Sequence, residues 1–398
     1  MTQISQRIQQ MAASATLAMS ARSAELREAG VDVINLSVGE PDFNTPHHIK
    51  EAAKQAIDDN YTFYTPVPGY MSLRRAIADY FNRLDSLSLD PAQIVVSTGA
   101  KQALCNVILA TVNPGDEVII PTPAWVSYME MVKLAEGVPV TVPAAIEQDF
   151  KITPEQLRSA ITPRTRMIML CSPSNPSGSI YTRAELQSLV DVLADYPDIL
   201  ILSDEIYRHI NYTGTYTSLA TFPAVADRVV VINGVSKAYA MTGWRIGFMA
   251  GPLSVAKAVT KLQGQYTSGT SSIAQKAAEA AYTGPQECVE EMRVAFERRR
   301  NLVYHLACEI PGLKVREPQG AFYLFPEVSA YFGLHTPDGQ TIADANDLAM
   351  YLLTDGHVAT VSGDAFGLPG YLRLSYATSD DRLTEAFARI AAALARLK

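Results

Sequence analysis

Three residues and one turn in this chain have side chains or settings suited to one kind of chemistry. Lys237 offers an amine that can form an imine and later move a proton. Asp204 offers a carboxylate able to keep a pyridine nitrogen protonated, so that the ring accepts electrons. The turn Ser97–Lys101 offers backbone amides at a helix N-terminus, a natural phosphate site. Arg373 offers a guanidinium that grips a carboxylate through paired hydrogen bonds. The residue types suit these roles without assigning them uniquely.

Such residues need elements to bring them together. The middle of the chain alternates apolar, β-rich runs with helical patterns. Strands are predicted at Ile94–Ala100 (running into a turn), Glu117–Pro123, Val138–Pro143, Arg166–Pro173, Ile199–Glu205, Arg228–Gly234 and Arg245–Gly251. Helices are predicted at Lys101–Ala110 and Arg183–Ala194. Continuous apolar strands between helices imply a mainly parallel sheet in an α/β domain. In the last quarter, strands at Gly320–Phe325 and Tyr371–Ser375 lie among helical patterns, which suggests a smaller α+β domain. A boundary falls near Cys288, inside a helical pattern ending at Cys308. In open α/β sheets, functional groups collect beyond the carboxyl ends of strands. Asn175, Asp204, Ser236, Lys237, Gly99 and Ala100 all follow predicted strands in this way.

Composition narrows the function classes. The 398 residues are 48% hydrophobic and 19% charged, an ordinary globular balance and ample for a large core. The net charge of −8 gives no support to nucleic-acid binding. The densest basic run, Arg298–Arg300, sits in a helical pattern and reads as a solvated helix face. The N-terminus lacks the apolar core of a signal peptide, and no stretch resembles a membrane span. Cys105, Cys171, Cys288 and Cys308 are scattered in apolar contexts and read as buried free thiols in a reducing cytoplasm. The histidines show no metal-ligand spacing.

Several segments, in order, carry a resemblance. SVGEPDF (Ser37–Phe43), SPSNPSG (Ser172–Gly178), SDEIY (Ser203–Tyr207), GVSKAYAMTGWRIG (Gly234–Gly247) and RLSYATS (Arg373–Ser379) resemble class I aminotransferases, fold-type-I enzymes that use pyridoxal phosphate. The segments Gly99–Leu104 and Trp125–Tyr128 bring the chain nearest to the bacterial aspartate aminotransferase branch. The resemblance implies residues 1–48 as an N-terminal part of the small domain, 49–288 as the cofactor domain and 289–398 as the small C-terminal domain. It implies Lys237 as the Schiff-base lysine and proton shuttle, and Asp204 as partner of the pyridinium nitrogen. Tyr207 and Asn175 are implied as donors to the cofactor's phenolic oxygen. The phosphate would fall to the amides of Ala100 and Lys101 after Gly99, with Ser236 and Arg245. Trp125 would stack on the ring. Tyr64 would reach the phosphate of a neighbouring subunit, which makes a homodimer with shared sites.

For substrate, Arg373 and the Gly39 amide are implied as the α-carboxylate site. Lys101, with Ser14 and Thr16 on an N-terminal flap, is implied at the distal carboxylate of a dicarboxylic amino acid. The implied reaction is ping-pong transfer from L-aspartate to 2-oxoglutarate. One departure counts against prephenate: Ala12 stands where relatives that accept it tend to carry lysine. Aromatic or neutral donors are the runner-up. A lyase or synthase on the same fold is a further alternative, since cofactor residues do not set reaction type. A cofactor-sensing regulator would need a DNA-binding domain, for which the resemblance, beginning by about Ser14, leaves no room.

Overall fold

Strands buried on both faces need helices above and below, and the chain supplies both. The structure is a computed structural model and describes residues 4–398. A short strand β1 (Ile34–Asn35) comes first. The main sheet follows: β2 (Ile94–Ser97), β3 (Glu117–Thr122), β4 (Val138–Pro143), β5 (Thr165–Cys171), β6 (Leu200–Asp204), β7 (Val229–Gly234) and β8 (Gly247–Ala250). Their spatial order is β2-β8-β7-β6-β5-β3-β4. β8 runs antiparallel to both of its neighbours, and the other pairs are parallel. The mainly parallel sheet read from the sequence is therefore present, with one reversed strand. Helices start where side chains can cap them. Thr182 accepts from the Glu185 amide while the Glu185 carboxylate accepts from the Thr182 amide, and helix Arg183–Ala194 begins there.

A second, smaller sheet has β9 (Tyr323–Leu324), β11 (Val361–Ser362) and β12 (Leu372–Ser375) in the order β11-β12-β9, all antiparallel. β10 (Val358–Ala359) pairs in parallel with β1 instead. The strand at 320–325 is shorter than the apolar run suggests. Ala321 adopts a left-handed φ of 55°, and its carbonyl takes the hydroxyls of Tyr212 and Tyr376 rather than a ladder bond.

The basic run needs correction. Arg298 is exposed, but Arg299 is only 7% exposed and pairs bidentately with Asp42 at 2.7 and 2.9 Å. Consecutive residues on a helix point about 100° apart, so three arginines cannot share one wet face. Arg299 also lies over the rings of Phe43 and Phe296. It thereby pins the segment that follows β1 to the long helix Glu287–Cys308. The cysteines also differ from expectation: all four are free, three are half-buried, and Cys308 is exposed. No helix among the described residues is long and apolar enough to cross a membrane.

The N-terminal residues touch both layers. The Arg7 guanidinium lies 3.6 Å from Glu136, and the Ala12 amide donates to Glu130 at 2.9 Å, both on the large-sheet side. Helix Ala15–Glu28 then packs toward β10 and β11.

Removing the Arg299 head leaves Asp42 unpaired. Arg299→Ala should lower stability by about 2 kcal/mol, below the ~3–5 kcal/mol of a fully buried pair because Asp42 is partly in water. Urea denaturation checks this, and an unchanged midpoint would show that the pin holds nothing.

Candidate active site

Strand direction decides where polar groups can meet. β2, β3, β5, β6 and β7 end on one edge of the main sheet, and the reversed β8 begins on that same edge. Ser97 of β2 and Gly234 of β7 both register with Gly247 of β8. The turns that follow or precede these strands therefore converge. They line a cleft of about 400 Å³ that contains Ala100, Lys101, Trp125, Asn175, Asp204, Tyr207, Ser236, Lys237 and Arg245. The small layer closes it with Gly39, Tyr323 and Arg373, and the N-terminal arm adds Ser14 and Thr16.

Lys237 lies at the centre. Its Nζ donates to the Gly39 carbonyl at 2.6 Å. It faces the rings of Tyr207 and Phe322, each 5.8 Å away. Burial brings its pKa down to about 8, with Arg373 and Arg245 pushing the same way and Glu40 opposing. An amine in that range spends a useful fraction of its time neutral, as a nucleophile or base must. The Gly39 carbonyl thus faces the amine, a contact separate from the amide expected to meet a substrate carboxylate.

Asp204 is 5% exposed and held at both oxygens. Tyr128 Oη donates to Oδ2 at 2.6 Å, and the Ile206 amide to Oδ1 at 3.2 Å. Burial raises its pKa to about 6, against those two donors and the Lys237 charge. A cation brought beside it would be strongly favoured, since that would relieve the desolvated carboxylate.

Arg373 is 1% exposed, yet no carboxylate answers it. Nη1 donates to Asn175 Oδ1 at 3.1 Å, Nη2 to the Ser37 carbonyl, and Nε has no partner among the described residues. The rings of Tyr323 and Phe366 flank it at 4.7 and 4.9 Å. A structural ion pair is thus not its role. A buried guanidinium with neutral acceptors and a spare N–H suits a carboxylate.

The turn at Gly99 opens helix Ala100–Thr111, whose first amides have no intrahelical acceptor. Gly99 has φ 86°, and a Cβ there would lie 2.4 Å from Arg245 Nη2. The left-handed φ favours glycine, and its lack of a Cβ leaves room for the Arg245 head. Arg245 donates to the Thr242 carbonyl at 2.9 Å and pairs with no acid, so its charge faces the turn. Ser236, 7% exposed, adds a hydroxyl to the same cleft. Together these donors suit a phosphate.

Lys101 Nζ rests 4.7 Å from the Trp125 ring centroid, and burial lowers its pKa. Thr16 Oγ1 is buried without a partner, as a side chain awaiting a ligand would be. Ser14 makes no cap bond at the start of its helix. Tyr64 is not in this chain's cleft; its side chain is fully exposed.

Sequence reasoning missed Tyr128, Tyr323 and the Ser37 carbonyl. Tyr128 had a signal. It follows Trp125 by three residues, one helical turn, and their rings meet edge to face at 5.6 Å. Tyr323 had none, because its hydroxyl reaches Tyr207 across the two layers at 2.7 Å.

Comparison with known proteins puts this geometry in context. Residues 31–390 match the family model described as aminotransferase class I and II. The aspartate/prephenate aminotransferase of Cereibacter sphaeroides is 50% identical over 386 residues, covering 96% of each chain. The aspartate aminotransferase of Geobacillus stearothermophilus is 49% identical, covering 97% of this chain and 98% of its own. The crystal structure of the Rhizobium meliloti aspartate aminotransferase superposes with a TM-score of 0.97 at 46% identity, over the whole of both chains.

The lowered Lys237 pKa has a direct readout. In cofactor-free protein, amine labelling of Lys237 at increasing pH should show a midpoint near pH 8, quantified by peptide mass spectrometry. A midpoint near the ordinary lysine value of 10.5 would mean that the cleft does not depress it.

Proposed function

Because the chain belongs to the class I and II aminotransferase family, we propose that it transfers the amino group of L-aspartate to 2-oxoglutarate with pyridoxal phosphate. The products are oxaloacetate and L-glutamate, formed in ping-pong order. The observation that carries this reading is the pair of cations without acidic partners: Arg373, buried among neutral acceptors, and Lys101, on the Trp125 ring. A dicarboxylate supplies an anion for each.

The residues fit the cofactor. Gly99 leaves room where Arg245 and the first amides of the Ala100 helix face the turn, which suits the phosphate. Asp204, fixed and desolvated, suits a pyridinium N–H. Asn175 and Tyr207 suit the phenolic oxygen, and Trp125 the ring face. When bound, pyridoxal phosphate supplies an aldehyde carbon that joins amines and a protonated ring that accepts electrons.

The chain supplies the rest. Arg373 binds the substrate α-carboxylate and so orients Cα. Lys101, Ser14 and Thr16 hold the distal carboxylate. Lys237, turned from the Gly39 carbonyl, takes the Cα proton on Nζ and delivers it again on the other side of the same transfer. The N-terminal arm, which lines the cleft with Ser14, Thr16 and the exposed Leu17, excludes water once substrate binds. Tyr64, fully exposed on the single chain, reaches the phosphate of a partner in a homodimer with shared sites. Four free cysteines accord with a cytoplasmic enzyme.

A second reading, prephenate as an amino acceptor, draws support from the name of the C. sphaeroides relative. Against it, Ala12 brings no cation, and its amide meets the Glu130 carboxylate.

A donor panel with 2-oxoglutarate tests the assignment. Aspartate should outrun alanine and phenylalanine in kcat/KM, and parity among them would refute the proposal. Lys101→Ala should cost aspartate about tenfold to a hundredfold, the worth of one desolvated charge contact, while sparing alanine. Equal losses would make Lys101 merely structural. Lys237→Ala should abolish the cofactor–protein bond that borohydride fixes, read as protein mass. A retained adduct would move the attachment elsewhere.

A further inference from the structure

We propose that Tyr323 is a positioning residue whose hydroxyl donates to Tyr207 and thereby aims the Tyr207 proton into the cleft. The inference rests on the cofactor reading above, in which Tyr207 serves the phenolic oxygen.

The two hydroxyl oxygens are 2.7 Å apart, and both side chains are buried, at 4% and 1% exposure. A phenol has one proton to give and lone pairs to accept with. Tyr323 Oη has no other hydrogen-bond partner among the described residues. If Tyr207 spent its proton on Tyr323, it would have none for the cleft, and the Tyr323 proton would be left without an acceptor among the described residues. Unsatisfied buried donors are costly, so the reverse order is favoured once an acceptor sits in the cleft. Tyr323 then donates to Tyr207, and Tyr207 donates inward. Each bond polarises the next, which strengthens the inner one.

Tyr323 is held for this task from several sides. Its strand partner is Ser375, two residues from Arg373. The Arg373 guanidinium lies 4.7 Å from its ring. Just upstream, the Gly320 amide donates to the Gly178 carbonyl and the Ala321 amide to the Ile210 carbonyl, both on the large-sheet side. The strained Ala321 makes that crossing possible. Gly39 completes the seat, since a Cβ there would stand 2.3 Å from Tyr323 Oη. The residue therefore joins the layer that carries the carboxylate receptor to the one that carries Lys237. No feature of the fold requires a hydroxyl here, because a phenylalanine ring would fill the same space.

Tyr323→Phe keeps the ring and removes only that donor. The measurement is the pH titration of the Lys237-linked cofactor absorbance in holoenzyme. A weaker inner bond favours the anionic oxygen less, so the midpoint should rise by about 0.5–1 unit. kcat should fall about tenfold or less while KM for aspartate stays within about twofold, because Arg373 is untouched. In Tyr207→Phe/Tyr323→Phe the midpoint should equal that of Tyr207→Phe alone, since Tyr323 acts only through Tyr207. A native midpoint in Tyr323→Phe, no shift in Tyr207→Phe, or shifts that add in the double variant would each overturn the proposal. A native protein with no Lys237-linked absorbance would instead overturn the parent reading, and this proposal with it.

Discussion

Positive charge without negative partners is the constraint around which this protein is organised. Lys237 is hydrogen-bonded to a carbonyl, Arg373 to a carbonyl and an amide oxygen, Arg245 to a carbonyl, and Lys101 rests on an aromatic face. Two carboxylates line the cleft among the described residues: Glu40 is exposed at its rim, and Asp204, buried, is occupied by a tyrosine and a backbone amide. A buried cation such as Arg373, held by neutral dipoles, is unfavourable alone and becomes favourable when an anion arrives, whereas Lys101 and Arg245 keep contact with solvent. The fold tolerates this because its stability is spread over apolar cores on both faces of the main sheet and under the small one, two of which reach the cleft at Tyr128, Tyr207 and Tyr323.

The two layers divide the labour. The main sheet contributes groups at strand ends, which rigid hydrogen-bonded ladders keep in register. The small layer contributes Arg373 and Tyr323 on paired strands. The segment after β1 ties the layers together. Its Gly39 carbonyl meets Lys237 while its Asp42 carboxylate meets Arg299 on the long helix. A charge pair with no direct part in chemistry thus holds the carbonyl that faces the central amine.

Much of this was legible in the sequence, and for physical reasons. Apolar runs such as Ile199–Leu202 are long enough to be strands and too uniform for one-sided burial, so they predict a parallel sheet. Polar residues after such runs must lie on one edge, which is why Asp204, Asn175, Lys237 and Gly99 converge as the strand rule requires. What was hidden depended on contacts between distant segments. Tyr323 meets Tyr207 across 116 positions of chain, and no local pattern announces it. Arg299 looked like its exposed neighbour Arg298, because composition cannot tell which side of a helix is covered. The short β9 was masked by an apolar run whose second residue turns left-handed. Nothing in the identity of Gly39 announces that its carbonyl meets Lys237, a contact across 198 positions.

The reversed strand β8 also sets an order of events for the growing chain. β2 pairs with β8 and with no other strand, so the turn at Thr98–Lys101 stays at a loose edge until residues 247–250 have docked beside it. Those partners are about 150 positions later in the chain, a contact that is slow to close. A ribosome must therefore finish most of the large layer before the turn at Gly99 is fixed beside its partner strand. Whatever that turn is to hold must wait for a chain whose central sheet has already formed.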